Sequence, residues 1–63
     1  MTFDDQLTWL RSRGFIVGPR DSERAPNQSG LFMCAESDGP WVETGNDLEA
    51  LVESAYRFWA MEF

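Results

Sequence analysis

The side chains of this sequence that offer chemistry are eleven carboxylates, one thiol and nine aromatic rings. Glu36, Asp38 and Glu43 lie close together along the chain, and a Mg²⁺ site or a general acid/base pair is built from such a cluster. An active site also needs a pocket, and 63 residues have little volume to enclose one. The three acids therefore read as solvated groups on a turn and a strand edge. Histidine is absent, which removes Ser-His and Cys-His nucleophiles and imidazole metal ligands together. Lysine is absent too, and with it Schiff-base chemistry and the lysine of a phosphate loop. Gly14, Gly18, Gly30, Gly39 and Gly45 fall singly at turn positions and make no phosphate-binding fingerprint. Cys34, beside Phe32 and Met33 with no basic neighbour, reads as an inert core thiol. An enzyme is not expected, and neither a metal nor another cofactor is called for.

The acids carry a different signal in their distribution. The net charge of −6 is not spread evenly. Through Arg24, the residues Asp4, Asp5, Asp21 and Glu23 balance Arg11, Arg13, Arg20 and Arg24. Beyond it, Glu36, Asp38, Glu43, Asp47, Glu49, Glu53 and Glu62 oppose only Arg57. A surface of this sign repels nucleic acid and attracts basic protein.

The elements that position these acids are legible from periodicity and turn chemistry. Phe3, Leu7 and Leu10 make one apolar stripe, predicting a helix from about Phe3 to Arg13 with Thr2 and Asp5 as a capping box. Gly14 ends it, Phe15 is placed to cover Leu10, and Arg11 and Arg13 suit the negative end of the helix dipole. Phe15-Ile16-Val17 reads as a short strand stopped by Gly18-Pro19. Residues 18–30 are polar apart from Ala25 and form a long loop, either a mobile connection or a binding loop. Residues 31–44 read as a β-hairpin about Asp38-Gly39, with Leu31, Met33 and Ala35 on one face and Phe32, Cys34 and Glu36 on the other. Pro40 puts the last strand at an edge or on a bulge. Asn46 and Glu49 resemble a capping box for a second helix running from 47 to about 61, with Glu49, Glu53 and Arg57 on its polar side.

The fold class is thus α+β: one domain spanning residues 1–63, ordered α-β-β-β-α, with a small three-stranded antiparallel sheet and two helices on the same face. A 43% hydrophobic content rich in Trp and Phe demands a packed core. Of the indoles, Trp59 reads as core, whereas Trp9, beside its helix stripe, and Trp41, at the start of an edge strand, are also suited to a binding surface. One cysteine excludes an intrachain disulfide and fits a reducing cytoplasm. No apolar run reaches the length of a membrane span, and Met1-Thr2-Phe3-Asp4-Asp5 is acidic where a signal peptide is basic, so a membrane partner or export is not expected.

Carboxylates one helical turn apart stand ~6 Å from each other, a spacing that suits basic side chains arranged for a phosphate backbone. Duplex DNA carries one charge per roughly 1.7 Å, so a net charge of this size equals about three base pairs. In size, acid excess, element order and the acidic stretch from Glu36 to Glu53, the whole chain resembles phage-encoded inhibitors of the small acidic anti-CRISPR type, which include DNA mimics. That resemblance implies a Cas protein as partner, such as the subunit that reads the short motif flanking a target, in the cytoplasm of a bacterial host. It brings no shared motif, so the site residues come from the charge pattern alone. The neutral, Arg-containing N-terminal third departs from a uniformly acidic mimic.

The resulting expectation is a binding inhibitor whose Glu36, Asp38, Glu43, Asp47, Glu49 and Glu53 occupy a basic nucleic-acid site on the partner, with Trp41 as aromatic anchor and no direct contact to nucleic acid. The alternative is a non-mimetic interaction protein, either antitoxin-like or immunity-like, or a homodimer sealed by Phe58, Trp59, Met61 and Phe63. A third class, a carboxylate metal enzyme, would require tight Mg²⁺ or Mn²⁺ binding.

Overall fold

A computed structural model describes residues 2–61 of the chain. Thr2 opens helix α1 (Phe3–Ser12) as expected: its hydroxyl accepts from Asp5 N at 3.2 Å, and the Asp5 carboxylate accepts from Thr2 N at 3.5 Å. Gly14 at φ +91° turns the chain out of the helix and into β1 (Phe15–Pro19). β2 (Phe32–Glu36) and β3 (Val42–Gly45) form the hairpin, and α2 (Leu48–Ala60) closes the described chain. The sheet is antiparallel in the order β1-β2-β3, with Val17, Cys34 and Glu43 in one cross-strand row and Ile16, Ala35 and Val42 in the next.

Both helices cover one face of this sheet. Leu10 from α1 and Leu51, Val52 and Ala55 from α2 are buried against Val17 and Cys34, with Phe3, Leu7, Phe15, Phe32 and Leu48 packed around them. The alternation read from β2 holds, since Met33 and Ala35 belong to a second cluster on the opposite face.

Two local expectations are corrected. β1 continues through Gly18 and Pro19, which pair with Met33 and Phe32. Arg20 N donates to Leu31 O, so by alternation the missing N–H of Pro19 belongs to the free side of an edge strand and costs no ladder bond. The N-cap of α2 is Asp47, not Asn46: Asp47 is still extended, and its carboxylate accepts from Glu49 N at 3.1 Å and Ala50 N at 3.5 Å. A carboxylate satisfies helix-terminal amides and opposes the positive dipole end together.

The long loop is tied to the sheet by hydrogen bonds at several points. Its ends meet through Arg20 N and Leu31 O at 3.0 Å, closing an Ω-type loop over the sheet face that the helices leave bare. Ala25 is buried there against Met33 and Ala35. Arg20 holds the loop from inside, donating to Gly30 O and Ala25 O, while Arg24 donates to the carbonyls of Glu36 at 2.6 Å and Ser37 at 3.3 Å. Thr44 Oγ1 donates to Ser29 O at 2.7 Å. The loop thus covers Met33 and Ala35 on the second face of the sheet, leaving their neighbour Ile16 exposed.

Candidate binding surface

The acids named from sequence do not converge on one spot. Glu43 and Asp47 border a shallow depression at the β3–α2 junction, and Glu53 borders the next one with Ser54 and Arg57. Ala50 lies in both, so the two depressions adjoin, and the acidic strip of α2 itself is the pair Glu49 and Glu53. Glu49 is exposed one helical turn before Glu53. Glu36 and Asp38 lie elsewhere, in a half-open groove of about 620 Å³ between the hairpin turn and the C-terminal ends of the two helices. Among the described residues, no three or more His, Cys, Asp or Glu side chains come close enough to hold a metal ion.

The groove is built by tertiary contacts. Gly14 O accepts from Ser37 N at 3.2 Å, tying the hairpin turn to the end of α1. Trp9 and Arg13 of the first helical segment supply one side, Phe15 enters from β1, and Tyr56 and Trp59 come from α2. The rings are fixed against one another, Trp9 edge-on to Tyr56 with centroids 5.3 Å apart and Phe15 tilted against Trp59 at 5.2 Å. Arg13 lays its guanidinium 4.9 Å from the centre of the Trp9 ring. Trp9 and Arg13 are one turn apart on a helix, a pairing visible in the sequence; Tyr56 and Phe15 join them only through packing.

Trp41, the anchor favoured from sequence, does not line this groove. It is half-buried, edge-on to Phe15 and Trp59, and stacked at 6.0 Å on Phe58. Phe58 is the more accessible ring, at 49% exposure, and Met61 beside the helix end is 68% exposed. These two belong to the surface named for self-association; Phe63, named with them, lies outside the described residues, as does Glu62.

The five arginines explain why the acids stay free. Arg11 donates to Val17 O at 3.1 Å on the outer side of edge strand β1, Arg20 and Arg24 hold carbonyls of the loop and hairpin, and Arg13 covers an indole. Among the described residues only Arg57 pairs with a carboxylate, Glu53 at 3.0 Å, and that exposed bridge contributes little stability. The neutrality of the N-terminal third is thus a sum of charges; its cations are engaged by backbone oxygens and a ring.

Cys34 is fully buried, and burial, reinforced by the charge of Glu43 across the ladder, pushes its thiol up to about 11. At pH 8 the folded protein should react with a disulfide reagent roughly 100-fold more slowly than the urea-unfolded chain; equal rates would contradict this burial. The unfolded thiol ionises first, so the contribution of Cys34 to stability should be fully present below pH 9 and be lost as pH rises from there towards 11.

Fold and surface together define a small α+β domain with two helices on one face of a three-stranded antiparallel sheet and a closed loop on the other. Comparison with protein-family models, curated proteins and solved structures gave no match. No described helix is long and apolar enough to cross a membrane.

Proposed function

We propose that this protein is a binding inhibitor that sets its carboxylates into a basic nucleic-acid site on a bacterial defence effector, with a DNA-reading Cas subunit as the partner class. The observation that carries the reading is the engagement of four of the five arginines by carbonyl oxygens or a ring. Asp38, Asp47 and Glu49 are left exposed without a cationic partner among the described residues, flanked by half-buried Glu36 and Glu43. The strip along α2 supplies the regular spacing, and the groove adds Glu36 and Asp38 beside aromatic surface. Asp47 and Glu49 also serve the helix start, which fixes their positions without neutralising their outward charge.

The test is inhibition of target-DNA binding by purified Cas complexes, read by mobility shift. Glu49→Lys combined with Glu53→Lys should weaken inhibition roughly 10-fold or more, and inhibition should fall steeply as salt rises. Inhibition indifferent to both changes would remove the acidic strip from the interface. Exposed Phe58 and Met61 favour one rival, a homodimer joined at the end of α2. Sedimentation at micromolar concentration separates the two, because a strict monomer excludes it.

A further inference from the structure

We infer that the groove between the hairpin turn and the helix ends is a socket for an arginine side chain of the partner. This rests on the reading of the acids as a surface for a basic protein, and it names the side chain recognised. A volume of about 620 Å³ lies within the range of ligand pockets and exceeds what one side chain needs, so a guanidinium can enter with part of its stem. Trp9, Phe15, Tyr56 and Trp59 supply flat, weakly polar walls that suit a planar and weakly hydrated cation. Arg13, itself a lining residue, rests its guanidinium on the Trp9 ring, so that ring already receives a planar cation. Glu36 and Asp38 stand on the turn side, and neither pairs with Arg13 or any other cation among the described residues. Two carboxylates against one guanidinium leave the lining negative, and carboxylate oxygens accept a guanidinium fork in bidentate fashion. An ammonium lacks that planar fork and holds its water more tightly, so lysine is the poorer occupant.

The probe is N-acetyl-arginine amide, whose only charge is the guanidinium, titrated into the intact protein and followed by ¹H–¹⁵N correlation spectra. The indole N–H signals of Trp9 and Trp59 and the amides of Ser37 and Asp38 should shift together. The lysine analogue should bind about 10-fold more weakly. The uncharged citrulline analogue should leave these signals in place. Glu36→Gln with Asp38→Asn, which preserves shape, should weaken the arginine probe by about 10-fold or more, with unchanged signal dispersion showing that the fold persists. Equal shifts from the citrulline analogue, undiminished binding by the double amide variant, or arginine-induced shifts confined to the outer side of α2 would each overturn the socket. The two readings fail separately. Arginine binding in the groove alongside inhibition indifferent to reversal at Glu49 and Glu53 supports the socket and removes the acidic strip. An empty groove alongside inhibition that responds to that reversal removes the socket alone.

Discussion

Leu10→Ala should leave much of the population unfolded at 37 °C. Leu10 is fully buried where α1 meets Val52 and Ala55 of α2 and Val17 and Cys34 of the sheet, so the cavity is bounded by three elements that cannot all close on it. Large-to-small truncation at such a site costs about 2–5 kcal/mol. A single core in a domain of this size rarely supplies more than about 3–5 kcal/mol. Thermal unfolding followed by circular dichroism should show the midpoint falling by at least about 10 °C, given ~4–8 °C per kcal/mol for small domains. Leu7→Ala, at a half-buried position on the same stripe, should cost clearly less. Equal losses at the two positions would mean that the core does not centre on Leu10.

Gly30→Ala should be the most damaging of the glycine substitutions, for reasons of backbone. Gly30 has φ +132°, a region that side chains rarely enter, and a Cβ there would stand 3.0 Å from both the N and the O of Gly45. Those are ladder atoms. Gly45 O accepts from Leu31 N at 3.1 Å, so relief by movement breaks the bond that returns the loop to the sheet. The conformational strain alone is worth about 1–3 kcal/mol, and the clash adds to it. Gly39→Ala is the informative contrast, because the nearest obstacle there is the Glu36 carboxylate, which can swing away. Gly18→Ala meets nothing within 4 Å. Urea titration should rank Gly30 far above both. Trypsin should also cut more readily at Arg20 and Arg24 in the Gly30→Ala protein, since those anchors lose their fixed carbonyl partners when the loop lifts. An unaltered digestion rate would indicate that the loop holds without this close approach.

The acidic strip was legible in sequence as far as helical spacing reaches, since Glu49, Glu53 and Arg57 recur at one-turn intervals wherever the helix is placed. Assigning Glu36 and Asp38 to that same surface was not warranted, because their position depends on how the hairpin turn docks against α1. The choice of Trp41 over Trp9 had the same weakness. Trp9 sits beside its helix stripe and Trp41 just before β3, and only the packing of Phe15, Phe58 and Trp59 decided which one would meet carboxylates.

What the sequence by itself determined is what neighbours along the chain decide: the cap at Thr2, the stop at Gly14, the alternation in β2, the hairpin about Asp38-Gly39 and the periodic faces of both helices. Each rests on hydrogen bonds and side-chain directions within a few residues, so local chemistry suffices. Tertiary structure alone decided the closed loop held by Arg20 and Arg24, the approach of Gly30 to Gly45, and the groove that joins Trp9 and Arg13 to Glu36 and Asp38. These join residues far apart in sequence, and net charge, being a sum over the chain, carries no information about where each carboxylate and its would-be partner come to rest.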